Sequence, residues 1–376
     1  MSSCATICIL APAHRYDDVR IFQKEATTLA KSGYRVFLLA RADEEFVENS
    51  VQVVPVQYRT RLHRFLLQPW LLYKVLSTRA ELVHLHNPDT LPIGFVLKLF
   101  GKRVIYDTHE NFPLLIPRRR WVPTVLRKPL AKSVDLLERA AGHVFDSMVV
   151  TQTNQLGSRG KHAVLIGNPP IMSGPLIEEA FRLATGIDCS QQLRLVYAGS
   201  ISEDRGLLLM VQVLDLLNHR LPARLWLAGP EADPGVIEQA RQLPGWRYVD
   251  YMGNLSQQRA FSHIAAADIG LILFLPRGDH EMTNPNKLFE YQMLGTPFVA
   301  SAFAEWKRFT GEADAGLFVD PGSIEIIVGA IEDLARDRSR LKCLAENGQK
   351  FIRESYNWEL ESQKLLTVYE RLTGVG

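Results

Sequence analysis

The alternation of short apolar strands with helical segments is the feature that most constrains the fold. Strand-like runs such as "TICILAP", "YRVFLLA" and "RVIYDTHE" are separated by helix-like segments such as "VRIFQKEATTLAKSG". The alternation restarts at "LRLVYAGS" and continues through "DIGLILFLP". Strands that are apolar throughout and alternate with helices form parallel sheets covered on both faces. The sequence therefore predicts an α/β fold with two doubly wound, Rossmann-like parallel sheets.

The length of the chain also indicates two domains. Its 376 residues exceed the roughly 250–300 that one hydrophobic core can serve. We expect a first domain over 1–170, a second over 171–355 and a C-terminal helix over 356–376 that returns toward the first domain. Doubly wound sheets bind ligands beyond the carboxyl ends of their strands, so two facing sheets would hold a ligand in the cleft between them.

Composition favours a cytoplasmic protein. The 4 cysteines are scattered, without the spacing of a zinc site or the density of a disulfide scaffold. The first apolar run is short and has no basic segment before it, which predicts a strand rather than a signal peptide. No apolar run approaches the roughly 20 residues that span a bilayer. We expect a soluble or peripheral protein.

The segment "NPNKLFEYQMLGTPFVAS" predicts a ligand-binding helix start. Pro285 favours the first helical position, where its missing N–H costs nothing. The unpaired amides there attract an anion, and Lys287 adds a positive charge. Glu290 lies one turn on and can accept hydrogen bonds from hydroxyls. This combination suits a pyrophosphate next to a ribose, whereas the alternative is an amphipathic helix with a solvated Glu and Lys.

Several segments in order resemble the GT-B-fold retaining glycosyltransferases of family 4 (glycosyltransferase group 1), which include many bacterial cell-surface sugar transferases. They include "ELVHLHNPDTLP", "VIYDTHE", "IGNPP", "VYAGSISEDRGL", "LWLAGP" and "NKLFEYQMLGTPFVAS". The resemblance implies transfer of a sugar from a nucleotide diphosphate sugar to an acceptor hydroxyl, with retention of anomeric configuration. We expect no cofactor and no metal, because no Asp-x-Asp motif is present to hold a divalent ion and Arg205 with Lys287 can take its place.

The resemblance assigns roles in the second domain. Glu290 would hold the ribose hydroxyls, and Lys287 with the amides near Asn286 would face the diphosphate. Gly199 allows close backbone approach, and Arg205-Gly206 matches the family's Lys-Gly pair. Ser200 stands where the family usually has an arginine, and Arg277 is a possible replacement. Arginine at position 205 can contact a phosphate in bidentate fashion.

Two further segments complete the expected donor site. The base would lie against backbone groups from Tyr251 through Gly253 to Asn254, with uracil and guanine both open. The family has a second glutamate eight residues before the ribose-binding one, but this chain has Met282 there. Either the neighbouring Glu281 serves, or the backbone amides of Met282 and Thr283 do.

The first domain contributes candidates for the reacting centre and the acceptor. The resemblance places His109 near the donor sugar, although a structural pair with Glu110 is the alternative. His84 and His86 share a strand face and need a third ligand to bind metal, so we favour a structural or cleft-rim position. The first loop offers His14, Asp18 and Arg20 on the acceptor side.

The first 170 residues carry an excess of positive charge, with 23 Lys and Arg against 14 Asp and Glu. Much of it lies in "YRTRLHRFLLQPWLLYK" and in "LLIPRRRWVPTVLRKPLAK", which contains Arg118, Arg119 and Arg120. Basic residues mixed with Trp, Phe and Leu are typical of a segment that meets an anionic membrane surface. A solvated face or a pocket for a soluble phosphorylated acceptor is the alternative. No recognised module favours nucleic acid.

We therefore predict a transferase that acts on a sugar or lipid-linked acceptor, such as a surface polysaccharide precursor. A nucleotide-sugar 2-epimerase of the same fold is one alternative. A nucleotide-binding partner subunit without catalytic activity is another, because Ser200 and Met282 depart from the family pattern.

Overall fold

The structure is a computed structural model that describes residues 5–108, 111–118, 122–157, 159–172, 174–188 and 192–374, apart from the side chains of Arg118 and Asn154. The chain divides into two compact units. Unit 1 comprises residues 1–168 and 358–376, and unit 2 comprises residues 169–357. His109, Arg119 and Arg120 lie outside the described residues.

Unit 1 is an α/β layer structure. Its strands are β1 (Thr6–Arg15), β2 (Arg35–Arg41), β3 (Phe46–Glu48), β4 (Val51–Pro55), β5 (Leu82–His86), β6 (Arg103–Thr108), β7 (Ser147–Val150) and β8 (Ala163–Leu165). Its α-helices are α1 (Thr27–Lys31), α2 (Arg61–Leu66), α3 (Gln68–Ser77), α4 (Leu91–Leu99), α5 (Phe112–Leu115), α6 (Thr124–Val144), α7 (Thr153–Leu156) and, from the C-terminus, a last helix over Trp358–Thr373. A π-helix over Val19–Ala26 precedes α1, and short 3₁₀ turns cover Pro88–Thr90 and Ile116–Arg118.

The described strands of unit 1 form one sheet in the order β3-β4-β2-β1-β5-β6-β7-β8. Every neighbouring pair is parallel except β3 with β4. The antiparallel edge strand is a detail that the sequence pattern did not predict, because three residues carry too little periodicity. The strand order reverses between β1 and β5, so the carboxyl ends of these two strands flank the crevice where such sheets bind ligands.

Unit 2 repeats the architecture. Its strands are β9 (Leu193–Ala198), β10 (Ala223–Ala228), β11 (Val249–Tyr251), β12 (Ile269–Ile272), β13 (Phe298–Ser301) and β14 (Gly316–Val319). Its α-helices are α8 (Pro175–Ala184), α9 (Leu207–Asn218), α10 (Val236–Arg241), α11 (Gln257–Ala266), α12 (Asn286–Leu294), α13 (Ala304–Thr310), α14 (Ile324–Arg336) and α15 (Arg338–Ser355), and 3₁₀ turns cover Pro244–Tyr248 and Gly311–Ala313. Within the described residues the sheet order is β11-β10-β9-β12-β13-β14, and all pairs are parallel.

The helix over Trp358–Thr373, here called α16, belongs to unit 1, as the sequence predicted for the C-terminal helix. Trp358 Nε1 donates to Thr28 Oγ1 at 2.9 Å. The Tyr369 hydroxyl lies 2.8 Å from Nδ1 of His84, and both side chains are buried. Glu361 accepts a 2.7 Å hydrogen bond from the amide of Gly167. These bonds join the end of the chain to the core of unit 1.

Each unit has its own hydrophobic core, built from inward-facing strand and helix residues. In unit 2 the core reaches from Ile177 to Ile352 and buries Trp306 and Tyr291 completely. Burying a large apolar side chain stabilises a fold by about 1.5–3 kcal/mol, so each unit has ample material for a stable core. Among the described residues, no helix combines the length and the apolar character needed to cross a bilayer.

Candidate functional site

The carboxyl ends of β9 and β10 approach each other through two glycines. Gly199 and Gly229 follow these strands with φ angles of +139° and +137°. A Cβ atom on Gly229 would lie 2.0 Å from the carbonyl oxygen of Gly199. A Cβ atom on Gly199 would lie 2.0 Å from Nζ of Lys287. The backbone contact excludes a side chain at Gly229, the positive φ favours glycine at both positions, and the backbone here is open to a ligand.

Helix α12 begins at this edge of the sheet. Pro285 precedes the helix with φ −71°, and the first residues, Asn286 and Lys287, present backbone amides without intrahelical partners. Gly295 ends the helix in the left-handed conformation, with φ +74°. The sequence motif therefore forms the helix that it predicts, and its positive end faces the glycine edge.

Lys287 is buried, with 8% of its surface exposed, and its Nζ lies 5.1 Å from the centroid of the Tyr197 ring. Burial lowers the pKa of Lys287 to about 8. The Glu290 carboxylate raises that pKa and the Arg205 guanidinium lowers it, both by smaller amounts. Burying a charged ammonium destabilises the fold. The burial of Lys287 is therefore better explained by binding of an anionic ligand than by a contribution to stability.

A cavity of about 240 Å³ lies at this edge. It is lined by Ala198, Gly199, Ala228, Gly229, Pro230, Asn254, Leu255, Gln257, Ala260, Phe261, Ile264, Asn286, Lys287 and Glu290. Five residues that the sequence nominated for the donor are in this wall: Gly199, Asn254, Asn286, Lys287 and Glu290. A positive helix end, one ammonium and one carboxylate are therefore in the wall of one pocket.

Arg205 lies in the loop that follows Gly199. Its guanidinium packs over the ring of Phe274 at 5.7 Å, and its Nη1 donates to the Ser200 carbonyl at 3.4 Å. Gly206 has φ +83°, and a Cβ atom there would lie 1.9 Å from the carbonyl oxygen of Leu273. The loop is thus fixed, with Arg205 half-buried near Lys287 but outside the pocket wall.

The remaining donor candidates are more scattered. Gly253 accepts a 2.8 Å hydrogen bond from the amide of Gly229, which joins the predicted base segment to the glycine edge. Tyr251 lies in β11 and is not in the pocket wall.

The loop that carries Glu281 and Met282 is exposed, with 43% of Met282 accessible. The Met282 amide donates to the Asp279 carbonyl at 2.9 Å, and Thr283 accepts from Trp306 Nε1 at 2.6 Å. The amide of Met282 is therefore engaged within the loop.

Arg277 does not lie free to replace the missing arginine at position 200. Its Nη1 pairs with Glu203 at 2.8 Å and with Asp204 at 3.1 Å. These two carboxylates belong to the same loop as Arg205, so Arg277 acts on the shape of the loop rather than on the pocket.

Sequence reasoning gave no role to several residues of this site. Tyr197, which contacts Lys287, is one, and Gly229 with Pro230 are others. The Gly-Pro step that ends "LWLAGP" was a usable signal, because a glycine after a buried strand marks close backbone approach. Tyr197 gave no such signal, since an aromatic residue in a strand is ordinary core.

In unit 1 the structure places His14 in β1, Asp18 at the start of the π-helix and Arg20 within that helix. His14 Nδ1 lies 3.1 Å from Asp18, and both side chains are partly exposed. Asp18 also caps the π-helix by accepting from the amides of Arg20 and Ile21. Arg20, which we expected toward the acceptor, is instead buried and pairs with Asp107 at 2.7 Å. The guanidinium of Arg20 therefore bonds groups inside the fold, and its Nη1 also donates to the Gly167 carbonyl.

His84 and His86 are fully buried beside Glu25. Nitrogen and carboxylate atoms of these three residues lie within 4.8 Å of one another, a set that could hold a metal ion. Glu25 is already 3.1 Å from Arg20 Nε, and Tyr369 already bonds His84. Burial raises the pKa of Glu25 and lowers that of His84, because desolvation disfavours the charged form of each group. We interpret the cluster as a buried polar network of the unit 1 core.

Comparison with known proteins identifies the family of this chain. The family model "Glycosyltransferase Family 4" matches residues 20–155, and "Glycosyl transferases group 1" matches residues 192–337. The chain is a family 4 glycosyltransferase. The glycosyltransferase also resembles the phosphatidyl-myo-inositol mannosyltransferase of Mycolicibacterium smegmatis, at 23% identity over 93% of this chain and 89% of that protein.

Solved structures share the fold of this glycosyltransferase. Sucrose-phosphate synthase from Thermosynechococcus elongatus superposes with a TM-score of 0.78 at 15% identity, covering 99% of this chain and 100% of that one. Anabaena HepE, solved in complex with UDP, gives 0.72 at 14% identity, covering 97% and 100%. WaaG, a glycosyltransferase involved in lipopolysaccharide biosynthesis, gives 0.67 at 16% identity, covering 96% and 98%. The predicted GT-B architecture is confirmed.

Proposed function

We propose that this glycosyltransferase moves a hexose-type sugar from a nucleotide diphosphate sugar to the hydroxyl of a lipid-linked or surface-glycan acceptor, with retention of configuration. The pocket of unit 2 carries the proposal. It combines the start of α12, the Lys287 ammonium and the Glu290 carboxylate with two glycines that leave the backbone accessible. A nucleoside diphosphate offers the matching groups, an anion next to two vicinal hydroxyls.

The diphosphate would lie at the start of α12. The amides near Asn286 supply unpaired N–H donors, and the buried Lys287 supplies charge in a site of low dielectric. The Glu290 side chain, in the same pocket wall, would accept hydrogen bonds from the ribose hydroxyls. Hydrogen bonds to a charged acceptor contribute about 1.5–3 kcal/mol each, so Glu290 would supply much of the nucleoside affinity.

Departure of the nucleoside diphosphate would be the step that these charges assist. Negative charge grows on the leaving phosphate as the glycosidic bond breaks, and preorganised cations stabilise that charge best. Arg205 and Lys287 are the cations we assign to this role, without a metal ion. A front-face reaction, in which the departing phosphate takes the acceptor's proton, needs no protein nucleophile, and we nominate none. We keep His109 as the residue nearest the donor sugar, on the family resemblance.

The names of similar proteins are consistent with this donor class. HepE was solved with UDP and with UDP-glucose, and the curated relative is named as a mannosyltransferase. The donor of this chain is accordingly proposed to be a UDP or GDP sugar. Its base would lie against the backbone of residues 251–254, beside the glycine edge.

Calorimetric titration of the whole chain with UDP, GDP, ADP and their sugars tests the donor. Selective binding of one nucleoside diphosphate is expected, and equal or absent binding of all of them would overturn the proposal. NMR of the anomeric product after incubation with an acceptor tests retention. Isomerised nucleotide sugar in the absence of any acceptor would instead establish the 2-epimerase, and binding without turnover would establish an inactive subunit.

Exposed apolar residues on two helices of unit 1 support the lipid-linked acceptor. Helix α2 exposes Leu62, Phe65 and Leu66 at 69%, 51% and 71% of their surfaces. The first turns of α6 expose Val125 and Leu126 at 81% and 54%. The same segments of the sequence carry basic residues: Arg61, Lys74, Arg127, Lys128 and Lys132. Arg64 is less accessible, because it pairs with Asp89 at 2.8 Å.

Exposed apolar side chains beside lysine and arginine suit an anionic bilayer, where each basic residue contributes about 1 kcal/mol. We propose that these exposed residues of α2 and α6 bring the enzyme to a membrane that holds the acceptor, as a peripheral protein. Co-sedimentation with vesicles of phosphatidylglycerol and phosphatidylcholine tests the idea. Binding should require the anionic lipid and weaken with salt.

Matched variants sharpen the vesicle experiment. Replacing Val125 and Leu126 by Ser removes two exposed apolar groups without touching the core, and should weaken binding to anionic vesicles. The same change at Leu360, exposed at 45% on α16, is the control. Equal binding to neutral vesicles, or none to either kind, would show that these residues of α2 and α6 do not recruit the protein to an anionic membrane.

A further inference from the structure

Tyr197 is buried at the end of β9, directly beneath the loop that runs from Gly199 to Gly206. Its hydroxyl donates to the Ser200 carbonyl at 2.8 Å. Burial raises the pKa of Tyr197 to about 12, so the hydroxyl keeps its proton and remains a donor at ordinary pH. The turn after Gly199 is therefore fixed to the strand below it.

The same carbonyl anchors Arg205. Arg205 Nη1 donates to Ser200 at 3.4 Å, and the guanidinium also interacts with the Tyr197 hydroxyl. The far side of the guanidinium is supported by the Phe274 ring at 5.7 Å. Loss of the Tyr197 hydroxyl would leave the Ser200 carbonyl and Arg205 with fewer constraints.

The ring of Tyr197 meets the second cation. Lys287 Nζ lies 5.1 Å from the ring centroid, within the range in which the electron-rich face of an aromatic ring attracts an ammonium. The other groups that act on Lys287 are Glu290 on its own helix and Arg205 on the loop. The backbone of Gly199 also lies close to the ammonium, since a Cβ atom built there would be 2.0 Å from Nζ.

We propose that Tyr197 is a positioning residue for the diphosphate site, in which one side chain sets both cations: the ring holds the Lys287 ammonium and the hydroxyl holds the Ser200 carbonyl that anchors Arg205. This inference rests on the proposed function, because the two cations are assigned there to the diphosphate. It gives a strand residue, which resembles ordinary core in the sequence, a role in substrate binding.

Two substitutions separate the two contributions. Tyr197→Phe keeps the ring and removes the hydroxyl, so affinity for UDP or GDP should fall about 2- to 13-fold, the loss of one neutral hydrogen bond. Tyr197→Leu removes the ring as well, and the lost cation–π contact should weaken binding by a further factor of about 3 to 30.

The pH dependence distinguishes positioning from a general loss of structure. Affinity for the diphosphate should decline as pH rises through the pKa of Lys287, about 8, because the neutral amine no longer attracts the anion. The ring favours the charged amine, so in Tyr197→Leu the decline should begin about 0.5 to 1.5 pH units lower. In Tyr197→Phe the midpoint should stay where it is in the wild type.

The experiment is calorimetric titration of the whole chain with UDP and with GDP between pH 6.5 and 9.5, alongside melting temperatures. Tyr291→Phe is the matched control, because Tyr291 is a buried tyrosine of the same core whose hydroxyl bonds backbone groups of β9. It should lower the melting temperature without moving the pH midpoint.

An unchanged midpoint in Tyr197→Leu, or affinity losses in both Tyr197 variants no larger than in Tyr291→Phe, would overturn the positioning role while the proposed function stands. Absence of binding by the wild-type chain would overturn the proposed function and this inference with it.

Discussion

Lys287→Met should stabilise the ligand-free protein and weaken nucleotide binding at the same time. Methionine has a similar length, is apolar and fits a buried position, whereas the ammonium is held there with only 8% of its surface exposed. Because burial lowers the pKa of Lys287 from 10.5 to about 8, the folded state binds its proton less tightly than the unfolded state does.

The expected gain in free energy of unfolding follows from the difference in the pKa of Lys287 between the unfolded and folded states. One pKa unit corresponds to 1.36 kcal/mol, so a shift from 10.5 to about 8 costs the folded state about 3 kcal/mol wherever the amine is charged in both states. The cost is complete below pH 8, declines between pH 8 and 10.5, and disappears above that range. The wild-type protein should therefore gain free energy of unfolding as pH rises from 8 to 10.5, relative to Lys287→Met.

Urea unfolding monitored by circular dichroism at pH 7 and at pH 10 measures the free energy of unfolding of Lys287→Met and of the wild type. At pH 7 the variant should exceed the wild type by about 1–3 kcal/mol, after allowance for imperfect packing of the new side chain. At pH 10 the gap should close to less than about 1 kcal/mol. Titration with the preferred nucleoside diphosphate should show at least about a tenfold loss of affinity in Lys287→Met, the effect of losing one charge-assisted contact.

Lys307→Met is the control, because Lys307 lies on the exposed face of α13. It should change neither the free energy of unfolding nor the affinity by a measurable amount. The reasoning is refuted if Lys287→Met is less stable than the wild type at pH 7 and binds nucleotide equally well, since Lys287 would then be an ordinary structural lysine.

Three further outcomes follow from the site. Glu290→Gln should keep the fold and weaken nucleoside diphosphate binding by about 1.5–3 kcal/mol for each ribose hydrogen bond lost, and near wild-type affinity by calorimetry would contradict the ribose role. Arg205→Ala should lower kcat more than it raises KM, because its charge acts most as the diphosphate leaves; steady-state kinetics that show only a higher KM would reassign Arg205 to ground-state binding. Activity should persist in EDTA, since Arg205 and Lys287 are proposed to carry the charge of a metal; loss in EDTA with recovery in magnesium or manganese would disprove this.

The residues proposed for the donor site could be nominated from the sequence because their chemistry is local. Pro285, Lys287 and Glu290 lie within one helix start, so helix geometry alone sets their spacing. Gly199 follows a buried strand, and the next turn of chain brings Arg205 within reach of the same edge. The terminal helix and the two parallel sheets were predictable for a similar reason, since apolar periodicity is a property of consecutive residues.

Long-range contacts were beyond the sequence. Arg20 resembled an accessible loop cation, but it is buried against Asp107, a partner 87 residues away. Arg277 was a candidate for the pocket until the structure placed it against Glu203 and Asp204, more than 70 residues away. The partners of a charged side chain depend on which strands lie side by side, and the spacing of residues along the chain does not specify that.

The sequence by itself determined that the chain forms two α/β units and that one helix start offers a cation and a carboxylate to a ligand. Only the tertiary structure decided the environment of that cation. The order of the strands places β9 beside β12, and the packing of α12 on that sheet brings Lys287 over Tyr197, 90 residues away in the chain. Burial at that position lowers the pKa of Lys287, because desolvation is a property of everything packed around a group rather than of its neighbours in sequence.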